Sequence, residues 1–170
     1  PVLNLDNGHY YELIDLEGTW GQYNAAANSS SYNGLQGHLA TVTSASENTW
    51  LVSTFSATSL NKHLFGGTDQ VTEGVWEWVT GEAWDYSNWA RNEPNDYLGN
   101  ENYVEFWHNN GSWNDIWFDR TSQGRRSHKG YIIEYENVAS VSAVSAVPVP
   151  GAVWLFATGL IGFVGMRQKS

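Results

Sequence analysis

The chain has 170 residues, of which 41% are hydrophobic and 15% aromatic, including 10 Trp, so it carries enough apolar material for one packed domain and a tail. Its 18 acidic residues outnumber its 8 Lys and Arg, and the net charge of −10 argues against nucleic acid as a ligand and favours cations, or neutral ligands bound through cations. Cysteine is absent, which excludes disulfides, thiolate metal sites and a cysteine nucleophile. Since the first residue is Pro1 rather than Met, we expect the true start to be missing or to have been processed.

The first part of the chain predicts a strand followed by a helix. The stretch NGHYYELI is typical of an opening strand, and TWGQYNAAANSSSYNG is typical of a short helix that ends in a Ser/Asn/Gly loop. Trp20, Tyr23 and Ala27 recur at helical spacing, so they are predicted to form the buried face of this helix.

A second strand and a second helix come next. GHLATVT alternates like a strand, and SASENTWLVSTF predicts a helix with Ser44 or Ser46 as its N-cap and with Trp50, Leu51 and Phe55 directed inward. Further strands are predicted in HLFGGTD, in short pieces around the tryptophans between positions 76 and 89, and in NYVEFW, GSWNDIWF and GYIIEYE. A strand, two helices and then many strands indicate an α+β fold.

The composition changes after residue 137. Residues 138–147 are small and uncharged and predict a linker. Residues 148–170 contain sixteen uncharged, mostly apolar residues, followed by Arg167 and Lys169. This length is marginal for a membrane helix, which needs about 17–25 residues, but the lack of a polar face favours a membrane segment over a buried core helix. We therefore predict a globular domain at 1–137, a linker at 138–147 and a C-terminal segment at 148–170.

One loop, NEPNDYLGNEN, concentrates three acids and four amides in eleven positions. Glu93, Asn95 and Glu101 of this loop, together with Asn114 and Asp115 downstream, each end in a hard oxygen. Ca²⁺ takes about 6–8 oxygen ligands, so these five side chains would leave positions open for the hydroxyl groups of a ligand. The alternative is an ordinary solvated loop.

Between residues 8 and 136 the sequence resembles the C-type lectin-like domain family. The pieces occur in family order: TW…AAA, QGHLATVTSASEN, FGGTD, VWEWVTGEAWDYSNWARNEPND, GSWNDIWF and GYIIEYE. The resemblance implies a C-type lectin-like fold with two helices packed on short antiparallel sheets, a long calcium-binding loop and a bond before Pro94 that is typically cis. Animal members usually carry two disulfides, so apolar packing here points to a bacterial or similar variant.

The resemblance also assigns roles to the oxygen-rich residues. It implies that five of them form the family's principal calcium and sugar site: Glu93, Asn95, Glu101, Asn114 and Asp115. A carboxylate only accepts hydrogen bonds and an amide NH₂ donates them, so Glu93 with Asn95, and Glu101 with Asn114, can each bind one sugar hydroxyl. The Glu-Pro-Asn order resembles the mannose-type branch, which binds mannose, N-acetylglucosamine, glucose or fucose, rather than the galactose-type Gln-Pro-Asp branch.

A second cluster is implied by the same resemblance to be an auxiliary calcium site that orders the long loop. Its members are Asp69, Glu73, Asp96 and Asn102. Asn102 stands where many family members have Asp, and the missing charge would weaken this site. The alternative is that Asp69 and Glu73 cap turns and face solvent.

Two further features are a basic segment and a set of tryptophans. The segment DRTSQGRRSHKG, residues 119–130, is either a solvated hairpin tip or an extra contact to an acidic polysaccharide, and it holds half of the basic residues: Arg120, Arg125, Arg126 and Lys129. Five tryptophans in strand-like pieces are predicted to be core rather than sugar-stacking residues: Trp76, Trp78, Trp89, Trp107 and Trp113. The five His show no metal-ligand spacing.

The tail resembles the bacterial PEP-CTERM sorting signal. It has a VPVP box, with Val149 where Glu is commonest, then GAVWLFATGLIGFVGM and a basic end, RQKS. The resemblance implies recognition by an exosortase-type membrane peptidase, cleavage near the box, and display at the cell surface or in the extracellular matrix. A plain C-terminal membrane anchor is the alternative.

We therefore predict calcium-dependent binding of glycans or exopolysaccharide by an exported protein. The alternative is a structural or protein-binding domain, such as an adhesin, that uses calcium only to order its loop. An enzyme is not expected, because the chain has no Cys, no spaced His pair and no Ser–His arrangement. Glu93 and Glu101 lie among amides, without an apolar pocket to raise one pKa as a glycosidase pair requires.

Overall fold

The computed structural model describes residues 1–117 and 128–136. In this part of the chain the strands are β1 (Val2–Leu3), β2 (Tyr10–Asp15), β3 (Ser31–Tyr32), β4 (Leu35–Leu39), β5 (His63–Thr68), β6 (Glu77–Trp78), β7 (Tyr103–Trp107), β8 (Ser112–Ile116) and β9 (Gly130–Glu136). The helices are α1 (Trp20–Ser29), α2 (Ala45–Phe55) and α3 (Ala57–Leu60), and a 3-10 turn, η1 (His108–Asn110), joins β7 to β8.

The described strands form one mixed sheet, and its main path runs β1-β2-β9-β5-β7-β8. Strand β9 pairs antiparallel with β2, from Tyr10↔Tyr135 to Asp15↔Gly130, and parallel with β5. Strands β7 and β8 form an antiparallel hairpin, in which Asp115 lies opposite Val104. Strand β8 is therefore the last strand of the path, where a loop can approach it.

Helix α1 begins at a capping box. The Thr19 side chain accepts a hydrogen bond from the Gln22 backbone N–H, and the Gln22 side chain accepts one from the Thr19 backbone N–H. Two N–H groups that lack partners inside the helix are thereby satisfied. Trp20, Tyr23 and Ala27 are the buried residues of this helix, as their spacing predicts.

Helix α2 begins after Ser44, whose hydroxyl accepts a hydrogen bond from the Glu47 backbone N–H. Of the two predicted N-caps, Ser44 is thus the one used. Leu51 is fully buried, while Trp50 and Phe55 are partly buried and pack against the core. The inward face predicted from the sequence is confirmed.

The larger core cluster is built around Trp113 of β8. Its indole ring lies 5.2 Å from Phe65 and 5.5 Å from Tyr86, measured between ring centroids, and its N–H donates to Asn48 Oδ1 at 2.9 Å. Of the tryptophans predicted to be core, Trp78 and Trp113 are buried, and Trp76 and Trp89 pack against the same cluster. Trp107 is half-buried like Trp76 and Trp89, but it lines a surface pocket.

A buried polar network joins β2, α2 and β9. The Tyr11 hydroxyl contacts the Glu47 carboxylate and lies 2.7 Å from Glu134 Oε1. Glu134 also accepts from the Thr41 backbone N–H at 2.9 Å and contacts His9 Nδ1 at 2.6 Å. Burial and the nearby charge of Glu134 raise the pKa of Glu47. These contacts give three distant segments a hydrogen-bonded junction inside the fold.

The predicted α+β architecture is confirmed, with two additions. The short helix α3 and the parallel pairing of β5 with β9 are not foreseen from the sequence pattern. Around the tryptophans between positions 76 and 89, only Glu77–Trp78 forms a strand, and Trp89 makes a single bridge to Trp113.

The predicted linker and C-terminal segment lie outside the described residues, as does most of the basic segment. Within residues 1–117 and 128–136, none of the helices has the length and apolar character that crossing a membrane requires.

Candidate functional site

The oxygen-rich loop runs beside β8, and the backbone of that strand fixes where the loop begins. The Trp113 N–H donates to the Asn88 carbonyl and the Ala90 N–H donates to the Trp113 carbonyl, both at 2.8 Å. The peptide bond between Glu93 and Pro94 is cis, as the family resemblance predicts. The loop residues that follow lie next to Asp115.

Asp115 is the point at which strand and loop meet. Its side chain is fully buried and accepts the Asn95 backbone N–H at 3.1 and 3.0 Å and the Asp96 backbone N–H at 2.7 Å. Hydrogen bonds from N–H groups to an ionised carboxylate are among the stronger ones in proteins. A side chain of β8 therefore organises the backbone of the loop directly.

Glu93 and Asn95 complete a compact group with Asp115. The Asn95 amide nitrogen contacts Glu93 Oε2. Burial, together with a hydrogen bond to Asp115 and the charge of that residue, raises the pKa of the Glu93 carboxyl to about 7. Two carboxyl groups thus meet at one point, where a proton or a cation reduces their repulsion. Three of the five residues predicted for the principal site are brought together here.

Glu101 closes the same loop from its far end. Its buried carboxylate accepts the Tyr97 backbone N–H at 3.1 Å, and its own backbone N–H donates to Asp96 Oδ1 at 3.1 Å. Leu98 and Gly99 adopt positive φ, at 66° and 71°, as a tight turn between these contacts requires. Asp96 is therefore shared, because its backbone bonds Asp115 while its side chain bonds Glu101.

Two buried residues near Asn114, Glu105 and His128, are not predicted from the sequence. The Asn114 amide nitrogen donates to Glu105 Oε1 at 3.3 Å, across the pairing of β8 with β7. Glu105 Oε2 lies 3.5 Å from His128 Nδ1, and all three side chains are buried. Because the amide NH₂ faces Glu105, the oxygen of Asn114 is directed away from that carboxylate. Glu105 could have been found from the sequence, because it is a carboxylate in the strand opposite the predicted ligand Asn114.

The predicted auxiliary cluster is partly assembled. Asp69 is buried, accepts the Gly74 backbone N–H at 3.0 Å, and has a second oxygen, Oδ1, without a partner among the described residues. Its backbone N–H donates to the Asn102 carbonyl at 3.3 Å. Desolvation, followed by the charges of Asp69 and Asp96, raises the pKa of Glu73. These acids are therefore close together, although Glu73 itself is exposed.

The donor set of the principal cluster fits Ca²⁺ better than a transition metal, because every candidate ligand is a carboxylate or amide oxygen. Within the described residues, no three His, Cys, Asp or Glu side chains converge closely enough to hold an ion by themselves. Binding would therefore also need the amide oxygens of Asn95 and Asn114. The pair formed by Glu93 and Asp115 supplies the local negative charge.

Comparison with known proteins assigns the chain to a family. The sequence profile of the lectin C-type domain matches residues 22–122. Halomucin of Haloquadratum walsbyi is 31% identical over 154 residues, which cover 82% of this chain and 2% of that protein. An alpha-N-acetylgalactosamine-specific lectin of Patiria pectinifera is 30% identical over 122 residues, which cover 68% of this chain and 71% of the lectin. This chain thus spans only a small part of halomucin.

Comparison of the fold with a solved structure agrees with the sequence comparisons. The C-type lectin CEL-I from Cucumaria echinata superposes with a TM-score of 0.63 at 25% identity, covering 75% of this chain and 90% of that one. This chain belongs to the C-type lectin domain family.

Proposed function

We propose that this chain is a calcium-dependent carbohydrate-binding domain with a mannose-type preference, for mannose, N-acetylglucosamine, glucose or fucose. The observation that carries the proposal is the meeting of the Asp115 carboxylate from β8 with Glu93 and Asn95 from the loop. Two segments that are separate in sequence would thereby hold one ion, together with Glu101 and Asn114. The cluster of Asp69, Glu73, Asp96 and Asn102 is proposed to hold an auxiliary ion.

Each side chain in the proposed site has a defined role. Calcium, when bound, supplies coordination positions for two neighbouring sugar hydroxyls. Glu93 accepts a hydrogen bond from one of these hydroxyls and Asn95 donates one to it, because a carboxylate only accepts and an amide NH₂ donates. Glu101 and Asn114 treat the second hydroxyl in the same way, and Asp115 fixes the loop while contributing charge.

A calcium titration by calorimetry, followed by monosaccharide competition with and without EDTA, tests the proposal. We expect mannose to bind only in calcium, and galactose to compete poorly. Mannose binding of unchanged affinity after chelation would contradict a calcium-mediated site. Calcium binding without any glycan ligand on an array would favour the alternative function below.

Sugar preference is tested by exchanging donor and acceptor within the loop. The double variant Glu93→Gln/Asn95→Asp should retain calcium binding and shift preference towards galactose. The control Glu17→Gln/Asn28→Asp makes the same chemical changes at exposed positions near α1 and should leave preference unchanged. The relative from Patiria pectinifera is named for N-acetylgalactosamine, so this sugar is included among the competitors. A double variant that still prefers mannose would show that Glu-Pro-Asn does not set the preference.

A second candidate function is protein binding by a loop that calcium orders. Tyr97 and Leu98 of the loop are 58% and 68% exposed, and apolar side chains of this kind are common in protein contacts. Replacing both with Ser would abolish binding to a protein partner and leave calcium affinity unchanged. Catalysis is not proposed, because the sequence offers no Cys, no spaced His pair and no Ser–His arrangement.

We also propose that the protein is exported and acts at a bacterial cell surface or in its extracellular matrix, where its glycan or exopolysaccharide ligands would lie. The support is the VPVP box, the apolar span and the basic end of the C-terminal segment. Mass spectrometry of the mature protein provides the test. A mass that ends near residues 148–150 supports processing by an exosortase-type peptidase, whereas an intact chain in the membrane fraction supports a plain anchor.

A further inference from the structure

A second concave site lies at the other end of the β7–β8 hairpin from the proposed calcium site. Its volume is about 190 Å³, and it is lined by Asn61, Lys62, Trp107, His108 and Asn109. Asp115 pairs with Val104, whereas Trp107 pairs with Ser112, so the two sites are separated by about 10 Å along β7. The pocket shares no residue with the cluster around Asp115.

The lining combines an aromatic surface with polar groups. The rings of Trp107 and His108 lie 5.2 Å apart at an interplanar angle of 53°, so they form an angled wall. Two amides and one ammonium group complete the pocket, and Asn61 Oδ1 is buried without a hydrogen-bond partner among the described residues. An aromatic face beside several hydrogen-bonding groups suits a sugar ring, which has apolar C–H faces and polar edges.

The backbone around the pocket is held in an unusual and fixed conformation. Lys62 and His108 both have positive φ, at 70° and 56°, which is uncommon for residues other than glycine. The Lys62 N–H donates to the Phe106 carbonyl at 2.7 Å, and the Lys62 carbonyl accepts the Lys129 N–H at 3.0 Å. Strained positions held firmly by their surroundings are concentrated at functional sites.

Two cationic residues lie together in this region, although the chain as a whole is acidic. The net charge is −10, yet two of the three Lys and Arg residues within the described ranges, Lys62 and Lys129, adjoin one another here. The Lys129 ammonium lies 3.4 Å from the Thr58 carbonyl in α3. Lys129 also belongs to the basic segment of residues 119–130. A cation in the pocket favours a ligand that carries a carboxylate.

We propose that the pocket formed by Asn61, Lys62, Trp107, His108 and Asn109 binds a carboxylate-bearing sugar unit, such as a uronic acid in an acidic polysaccharide, without calcium. Trp107 packs against the sugar ring, and Lys62 pairs with the carboxylate. Pockets that bury drug-sized ligands measure about 300–1,000 Å³, so a volume of about 190 Å³ accommodates one sugar unit rather than an oligosaccharide.

The test uses the full chain in EDTA, so that the proposed calcium site makes no contribution and its failure cannot be confused with failure here. Glucuronic acid and glucose are titrated into ¹⁵N-labelled protein, and the Trp107 indole N–H is assigned by comparison with Trp107→Phe. We expect glucuronic acid to shift the Trp107 and His108 signals in a saturable way, and glucose to bind several-fold more weakly. Binding should weaken as salt is raised, because a surface charge contact is screened.

A matched pair of variants isolates the charge. Lys62→Gln should weaken glucuronic acid binding by about two- to fivefold, while Lys62→Arg should retain it. Both should fold, because the hydrogen bonds of Lys62 to Phe106 and Lys129 come from its backbone. Arg91→Gln removes the third described cation, outside the pocket, and should have no effect. Equal binding of glucose and glucuronic acid, equal affinities of the two Lys62 variants, or an unmoved Trp107 signal at saturating sugar would each overturn the proposal.

Discussion

Calcium binding at the proposed site should depend on pH through Glu93. Burial and the neighbouring Asp115 raise the pKa of the Glu93 carboxyl to about 7 in the ion-free protein. Because the ion needs the carboxylate form, calcium must displace any proton held there. The free protein binds more protons than the loaded protein, so calcium affinity should rise with pH.

The size of the effect follows from the pKa. Protonation reduces the apparent calcium affinity by a factor of about 11 at pH 6 and about 1.1 at pH 8, so the affinity should rise about tenfold between these values. Calcium binding should release about 0.9 protons at pH 6 and about 0.1 at pH 8. Calorimetry in two buffers of different ionisation enthalpy measures both the affinity and the proton count.

Two variants separate Glu93 from the rest of the site. Glu93→Gln should bind calcium more weakly and lose the pH dependence in this range, because the titrating group is gone. Glu101→Gln removes another proposed ligand but leaves Glu93 and Asp115 in place, so it should bind weakly and keep the pH dependence. A rise of less than about twofold between pH 6 and pH 8 in the unmodified chain would refute the reasoning, since it corresponds to a pKa of about 6 or below.

Three further predictions concern packing and positioning. Tyr11→Phe should lower the free energy of unfolding in urea by about 1.5–3 kcal/mol, because the hydroxyl that bridges buried Glu47 and Glu134 is lost. The half-buried neighbour Tyr10→Phe is the control, and equal losses would contradict the network. Gly66→Ala should lower the free energy of unfolding by about 1–3 kcal/mol, because the added Cβ would lie 2.7 Å from the Leu39 carbonyl oxygen. In the control Gly21→Ala the added Cβ meets nothing within 4 Å, so stability should be unchanged or raised. Glu105→Leu should weaken calcium binding about tenfold by releasing the Asn114 amide. Glu105→Gln keeps an acceptor, so its calcium affinity should stay within about threefold of that of the unmodified chain. The thermal midpoint verifies folding of both variants, and equal calcium affinities of the two would exclude this positioning role.

Local patterns predicted helices α1 and α2 well, because each pattern lies within a single element. The face formed by Trp20, Tyr23 and Ala27 repeats at helical spacing, and the N-cap Ser44 stands next to the helix that it begins. The strands along NYVEFW and GSWNDIWF were predicted for the same reason. The three-residue group around Asp115 depended on the family resemblance, since no spacing rule links a loop to a later strand.

The unpredicted features join residues that are far apart in the chain. Glu105 and His128 meet only because β7 and the start of β9 are brought together by the fold. Tyr11, Glu47 and Glu134 likewise come from three segments. Sequence periodicity describes one element at a time, so it indicates burial but not the partner of a buried polar group.

The hairpin that ends in β8 restricts how this binding surface can diversify. Three successive residues serve different purposes: Trp113 fills the core, Asn114 faces Glu105 and Asp115 holds the loop. Shifting β8 by one residue would exchange these roles and expose the indole ring. Gly111 also fixes the turn, because its φ is 77° and a side chain would collide with Val52. Homologues should therefore conserve the length of this hairpin and acquire new ligands by insertion or substitution between positions 92 and 102.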